Sequence, residues 1–186
     1  FRCQCACKRE GLKVNVGKRF EADIKASIPE NILFYRFKDS PASFNSFNQD
    51  SNIRFTTSNV CDCLIFKTPM LFFIELKTTQ GKSYSLNDSA NKQLERFRKL
   101  GDHADAIKAF IINFREYEKT YFITTKDLEE FLKRTGKKSI RIDECHEIGV
   151  LISQKKLRTN YRYQIEDIFN MDKAVEIQKL FDINYQ

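Results

Sequence analysis

Apart from Lys67 at its central turn, three charged residues stand inside an otherwise apolar stretch, VCDCLIFKTPMLFFIELK, which spans residues 60–77. They are Asp62, Glu75 and Lys77. The stretch predicts two strands joined by a tight turn at 67–70, because a threonine and a proline interrupt the apolar runs there. Burying an unpaired charge costs several kcal/mol unless a partner compensates it, so these three positions are the first candidates for chemistry.

The expected register of this hairpin brings the three charges together. Strand side chains alternate between faces, so Glu75 and Lys77 share one face of the sheet. A two- or four-residue loop centred on Thr68-Pro69 pairs residues whose numbers sum to 137, which sets Asp62 opposite Glu75. A slip of two residues instead sets Asp62 opposite Lys77, still on the same face. In both registers, two carboxylates and an ammonium group converge beside an apolar layer.

Two converging carboxylates are the ligands that a hard divalent cation prefers. For phosphodiester hydrolysis, Asp62 and Glu75 can each supply an oxygen to Mg²⁺, and the carbonyl of Leu76 can supply a third. Glu21, one helix upstream, can bind through water or hold a second ion. Lys77 can orient the attacking water or neutralise charge that develops on the phosphate. The alternative interpretation is an ordinary ion pair of Lys77 with Asp62 or Glu75 on a solvated sheet face.

The surrounding sequence predicts the elements that hold these residues. A helix over 15–28 is capped by Asn15 and carries Glu21 beside its apolar stripe. An amphipathic helix over 87–100 carries Gln93 on a face other than the apolar one. The remaining predicted elements are strands over 31–37, 106–114 and 120–124, a helix ending at Arg134, a partly extended return over 139–152, and a helical end over 161–183 that breaks near Asn170. This order predicts an α/β domain, in which helices pack on a mixed sheet.

Length, composition and charge limit the class of protein. The chain has 186 residues, 41% of them apolar, which predicts a single domain over 15–186 after a flexible tail over 1–14. Residues 38–58 are rich in polar and turn-forming types and predict a loop or short stalk. The net charge of +7 favours a polyanionic partner such as nucleic acid.

Targeting segments and cysteine content both bear on the cellular location. No apolar run approaches the roughly 20 residues that a membrane helix needs, and the first ten residues lack the apolar core of a secretion signal. The six cysteines are therefore expected to be reduced, in a cytoplasmic protein without membrane attachment. Cys3, Cys5 and Cys7 alternate, a spacing that fits zinc sites poorly. The two histidines, His103 and His146, receive no catalytic role.

The order of these motifs resembles that of a known nuclease group. Asp62 together with Glu75–Lys77 resembles the core of the PD-(D/E)xK nucleases. The surroundings narrow the likeness to the RecU-type Holliday junction resolvases. GKRFEADI at 17–24 is similar to their first helix, and IELKTTQGKSYSL at 74–86 to their catalytic strand and the turn that follows it. KSIRIDE at 138–144 also matches.

The resemblance covers residues 15–170 and implies a restriction-endonuclease-like fold, with a mixed central sheet flanked by helices. It also implies a homodimer that binds four-way DNA junctions and nicks two strands symmetrically in recombination and repair, with Mg²⁺ or Mn²⁺ as cofactor. A two-fold symmetric enzyme places two identical sites on a nearly symmetric substrate. The catalytic residues that the resemblance implicates are Glu21, Asp62, Glu75, Lys77 and Gln93, with Asp62, Glu75, Leu76 and Glu21 as metal ligands.

Two features depart from the family pattern. Cys61 stands where the family usually has a threonine, and residues 38–58 are fewer than the stalk that the family inserts through the junction centre. Both features fit a phage-encoded or divergent member. Basic side chains around the site are candidates for phosphate contacts. They are Lys18, Arg19, Arg36, Lys38, Arg54, Lys82, Arg96 and Lys99.

Two other functions use the same residues. Gln93 followed by Phe97 is similar to a helix motif of exonucleases that share this core, so an end-dependent or restriction-type nuclease is the first alternative. A DNA-binding module that does not cut is the second. Incubation with covalently closed, linear and four-way DNA separates these functions, because each predicts a different pattern of cleavage.

Overall fold

The computed structural model describes residues 15–37 and 59–171 of the chain. Within them the helices are α1 Val16–Lys25, α2 Asp88–Lys99, α3 Thr125–Thr135 and α4 Ile142–Ile148. The strands are β1 Leu33–Arg36, β2 Cys63–Lys67, β3 Met70–Thr79, β4 Ser83–Ser85, β5 Ala106–Phe114, β6 Lys119–Thr124, β7 Ser139–Arg141, β8 Val150–Ile152, β9 Gln154–Lys156 and β10 Tyr161–Tyr163. Short 3-10 helices cover Arg115–Tyr117 and Ile165–Asn170. None of the described helices is long and apolar enough to cross a membrane.

Six of the strands form one mixed sheet in the order β1-β2-β3-β5-β6-β8. β3 and β5 run parallel, and the other neighbouring strands are antiparallel. A parallel pair needs a crossover connection, and α2 lies in it. Two small antiparallel ladders, β4 with β7 and β9 with β10, pack beside the sheet. The predicted α/β architecture, a mixed central sheet flanked by helices, is confirmed.

An apolar layer covers each side of this sheet, and β3 borders both layers. Phe72, Ile74 and Leu76 belong to the layer that α1 and β10 cover. The opposite layer lies under α2, α3 and α4. Because successive strand residues point to opposite faces, Glu75 and Lys77 lie on the side of α2. The strand therefore carries its charges on one face and a continuous apolar row on the other.

The register of the β2–β3 hairpin is the predicted one. Thr68-Pro69 forms the two-residue connection between the strands, and Cys63 pairs with Ile74 at the far end of the ladder. The paired numbers sum to 137 along the ladder. Asp62 comes one residue before β2 and therefore lies across from Glu75. The register slipped by two residues is wrong.

Local capping interactions set the helix ends. α1 follows Asn15, whose side-chain oxygen accepts a hydrogen bond from the backbone N–H of Lys18 at 3.2 Å. The helix ends at Lys25, earlier than predicted, and its backbone then tightens, since the N–H of Ser27 donates to the carbonyl of Ile24 at 2.9 Å, only three residues back. Asn87 caps α2 in the same way, as its side chain accepts from the N–H of Ala90.

The end of the described chain differs from its prediction. A helix was expected from residue 161, but Tyr161–Tyr163 is strand β10 and pairs with β9. Two buried tyrosines alternate there with the exposed Arg162, which is the two-residue period of a strand. Ile165–Asn170 is a 3-10 helix. The predicted return over 139–152 contains β7, α4 and β8.

Three predicted features lie outside the described residues. They are the tail over 1–14, the loop or stalk over 38–58, and the part of the predicted C-terminal helix that follows Met171.

Candidate active site

Asp62 and Glu75 lie side by side where the β2–β3 ladder ends. The backbone N–H of Asp62 donates to the carbonyl of Ile74 at 3.1 Å, and its Oδ2 accepts from the N–H of Leu76 at 2.8 Å. These contacts bracket Glu75, which is only 6% exposed. Burial, together with the negative charge of Asp62, raises the pKa of Glu75. The structure thus brings two carboxylates together beside an apolar layer.

Lys77 lies two residues beyond Glu75 on the same face of β3. Its Nζ is 2.7 Å from Oε1 of Glu75, and its side chain keeps 25% of its surface exposed. The positive charge opposes the rise in the pKa of Glu75 without cancelling it. Surface ion pairs have both partners in water, whereas this carboxylate is buried. The interpretation as an ordinary pair on a solvated sheet face therefore does not fit.

Gln93 joins helix α2 to the segment that leads into β2. Its side-chain Nε2 donates to the carbonyl of Val60, and its Oε1 accepts from Nη1 of Arg96 at 3.1 Å. Gln93 is buried, which corrects the prediction that it lies away from the packed face of the helix. A buried amide is stable here because both of its ends are hydrogen-bonded. Arg96 in turn lowers the pKa of Glu75, so its charge acts on the carboxylate pair.

Glu21 is held by a partner of its own. Its Oε2 accepts from Nε of Arg36 on β1 at 2.8 Å, and Nη2 of the same arginine also contacts it. In the described part of the chain, no group of three or more His, Cys, Asp or Glu side chains is arranged to hold a metal ion. Of the three carboxylates predicted as ligands, Asp62 and Glu75 meet, and Glu21 is paired with a strand at the edge of the sheet.

Cys61 precedes Asp62 and is buried. Its Sγ donates to the carbonyl of Cys63 at 3.3 Å. Burial is the main reason that the pKa of Cys61 rises to about 12, and the charges of Glu75 and Asp62 raise it further. The thiol therefore stays protonated at neutral pH. A neutral group lies beside the carboxylates at the position where a threonine was expected.

Tyr84 is a neighbour of the carboxylates that the sequence analysis missed. It lies on β4 and is buried, and burial together with the charges of Glu75 and Asp62 raises its pKa. Its position depends on the ladder between β4 and β7, whose strands are only three residues long. The available signal is the alternation of buried Tyr84 and Leu86 with exposed residues.

The predicted phosphate contacts occupy several surfaces. Arg96 lies beside the carboxylates, Arg36 pairs with Glu21, and Arg19 donates to Oδ1 of Asn160 at 3.3 Å. The exposed lysines among them are Lys18, Lys82 and Lys99. Two further candidates, Lys38 and Arg54, lie outside the described residues.

The residues that meet at this site come from one continuous stretch, 60–96, whereas Glu21 comes from α1. The stretch contains β2, β3, β4 and most of α2. It lies within a match to a family profile described as "RecU: Recombination protein U", which covers residues 17–167. The chain belongs to the RecU family. The family resemblance predicted from the sequence is confirmed.

Two known proteins resemble this RecU-family chain. The SPbeta prophage-derived uncharacterized protein YotM of Bacillus subtilis (strain 168) is 33% identical over 170 residues, which are 83% of this chain and 85% of that protein. The solved structure of Archaeoglobus fulgidus Hjc, a Holliday junction resolvase from an archaeal hyperthermophile, aligns with a TM-score of 0.45 and 18% identity. The alignment covers 72% of this chain and 93% of Hjc.

Proposed function

We propose that this RecU-family chain is a metal-dependent endonuclease that nicks branched DNA and resolves four-way (Holliday) junctions by paired, symmetric cuts. The observation that carries the proposal is the buried Glu75 between Asp62 and Lys77, in a chain of this family. A buried carboxylate with a raised pKa, close to a second carboxylate and a lysine, is typical of a functional site.

The donors at this site fit a small, hard cation. The charge of Asp62 raises the pKa of Glu75, and a bound cation would relieve that repulsion. Mg²⁺ and Mn²⁺ favour oxygen ligands, and Mg²⁺ usually takes one or two protein carboxylates and keeps several waters. We therefore assign Asp62, Glu75 and the carbonyl of Leu76 as ligands. Glu21, held by Arg36, is assigned an auxiliary part through water or at a second ion.

Each side chain at the site has a defined task in this proposal. A divalent ion held by Asp62 and Glu75 would supply Lewis-acid chemistry at the scissile phosphate and would lower the pKa of an attacking water. Lys77, 2.7 Å from the carboxylate of Glu75, orients that water or neutralises negative charge that develops on the phosphate. Gln93 fixes the chain at Val60 and holds Arg96, whose guanidinium is placed to bind a backbone phosphate.

Paired cuts on a four-way junction require two active sites. We propose that the chain acts as a homodimer, because a two-fold axis presents two identical sites to strands of like polarity.

Strand nicking of a synthetic four-way junction tests the proposal, in Mg²⁺ and in EDTA, with linear and covalently closed DNA compared. We expect symmetric nicks near the branch that require the metal and disappear in Asp62→Asn. Glu130→Gln removes an exposed carboxylate from α3 and should cut like the wild type. Loss of nucleotides from DNA ends would instead assign an end-dependent nuclease. Binding without cutting in any metal would leave a DNA-binding module.

A further inference from the structure

The outer surface of the β9–β10 hairpin is strongly basic. Between Ser153 and Gln164 the sequence contains no acidic residue. Its basic residues are Lys155, Lys156, Arg158 and Arg162, and all of them are exposed. Lys156 is ion-paired with Glu118. The other three, Lys155, Arg158 and Arg162, form no ion pair with another described residue.

Two of these charges stand directly across from each other. Arg162 on β10 pairs in register with Lys155 on β9. Like charges at directly opposite positions of an antiparallel ladder destabilise it. Arg158, at the connection between the strands, adds a third positive charge to the same small element. The hairpin therefore keeps a repulsion that a bound polyanion would remove.

The inner surface of the hairpin is firmly anchored on α1. The N–H of Tyr161 donates to Oδ2 of the buried Asp23 at 3.3 Å, and the N–H of Tyr163 donates to Oγ of Ser27 at 3.0 Å. The rings of Tyr163 and Phe20 meet edge to face, with centroids 5.5 Å apart. These contacts fix the direction in which the basic side chains project.

Helix α1 adds charge beside the connection of the hairpin. Nη2 of Arg19 donates to Oδ1 of Asn160 at 3.3 Å, which joins the helix to the end of the hairpin. The exposed Lys18 precedes Arg19, and Glu21 follows it on the same helix. The basic surface thus spans the hairpin and the start of α1, on the side of the sheet opposite Glu75.

We propose that the β9–β10 hairpin and the start of α1 form a second DNA-binding surface, which contacts backbone phosphates of duplex DNA on the α1 side of the sheet. This inference rests on the proposed function, because a branched substrate has duplex arms beyond the strand being cut. Guanidinium and ammonium groups bind phosphates without reading the bases. The surface therefore adds affinity that is independent of sequence and sensitive to salt.

The test compares two triple variants that lose the same charge. Lys155→Gln/Arg158→Gln/Arg162→Gln alters the hairpin, and the control alters three exposed residues of α3, Lys126→Gln/Lys133→Gln/Arg134→Gln. Binding to a four-way junction is measured in EDTA over a range of salt concentrations. Each phosphate contact contributes about 0.9 to the slope of log affinity against log salt, so the hairpin variant should lose up to about 2.7 of that slope. Its affinity at physiological salt should fall roughly tenfold or more, and the control should keep both values.

A charge-preserving variant separates electrostatics from folding. Arg158→Lys/Arg162→Lys should bind like the wild type if positive charge is what the DNA contacts. Equal affinity and slope in the wild type and the hairpin variant would overturn the inference, as would an equal loss in the α3 control. Failure of the proposed function is distinguishable, because a wild-type protein that binds DNA but never cuts it leaves these binding measurements intact.

Discussion

The two faces of strand β3 differ in what they bury. On the α1 side, Ile74 and Leu76 lie in an apolar layer, and such burial stabilises a fold by roughly 25 cal/mol per Å². On the α2 side, the neighbouring Glu75 lies beside Asp62, and its burial raises its pKa. The same strand thus combines a face that holds the sheet together with a face that keeps a charge at the expense of stability. A buried charged residue that lowers the stability of the fold is typical of a functional site.

The two faces also differ in their response to pH. The folded-state pKa of Glu75 lies above the unfolded value, so its contribution to stability is complete below the unfolded pKa. That contribution is lost as the pH rises through the folded pKa. The apolar face carries no titratable group in its row and contributes a term that does not change with pH. Variants on each face can therefore be compared directly.

The largest expected effect comes from removing the positive charge of Lys77 from the charged face of β3. Lys77→Met should slow DNA cleavage about 10²- to 10³-fold, because charge that develops on the phosphate loses a positioned partner. Single-turnover cleavage of a four-way junction measures this rate. Lys119→Met, at an exposed position on β6, is the matched control. Equal slowing in both variants would show that net charge matters and position does not.

Truncation of a side chain on the apolar face should instead lower stability and leave the cleavage rate nearly unchanged. Ile74→Ala is expected to lower the free energy of unfolding by roughly 3 kcal/mol, because it removes buried methyl groups and leaves a cavity. Urea denaturation measures this loss, and Leu157→Ala at an exposed position should change little. Cleavage per folded molecule should stay within a few-fold of the wild type. A folded Ile74→Ala protein that no longer cuts would show that the two faces are not separable.

Gln93 tests the link between α2 and the charged face. Gln93→Ala leaves the carbonyl of Val60 without its donor, which should reduce the free energy of unfolding by about 1–3 kcal/mol. It also releases Arg96 and should slow cleavage less than Lys77→Met does. Gln93→Glu keeps the acceptor for Arg96 but loses the donor, so it should recover cleavage more than stability. Recovery of stability alone would assign Gln93 a purely structural part.

The smallest effect concerns Glu75 in the metal-free protein. Glu75→Gln should raise the melting temperature at neutral pH by a few degrees, because it removes a carboxylate whose ionised form burial disfavours. The gain should shrink as the pH falls and the wild-type carboxyl becomes protonated. Thermal unfolding in EDTA at several pH values measures it. A gain that grows toward acid pH would contradict the assigned direction of the pKa shift.

The register of the β2–β3 hairpin could be predicted because it depends only on residues that are close together in sequence. A two-residue connection and strict alternation leave few registers that keep the apolar residues inward, and Cys63 does pair with Ile74 as expected. Three charges within two apolar strands then limited the possible chemistry. The fold class followed from the order of strongly periodic elements.

The missed features depend on contacts between distant segments. Gln93 was predicted on a polar helix face because glutamine is polar. Its burial depends on a hydrogen bond to the carbonyl of Val60, which lies 33 residues away in sequence and cannot be inferred from the helix itself. The pairing of Glu21 with Arg36 joins a helix to a strand, which periodicity does not reveal. Strand β10 was predicted as helix because its three residues are too few to establish a two-residue period, and its partner β9 is equally short.

Residues 60–96 supply nearly all of the groups that meet at the candidate site. The two carboxylates, the lysine and the glutamine are therefore neighbours in sequence as well as in space, and β5 beside β3 and β7 beside β4 support them from outside this stretch. A chain that keeps this stretch and the two strands that support it could vary its more distant segments and still bring both carboxylates to the lysine.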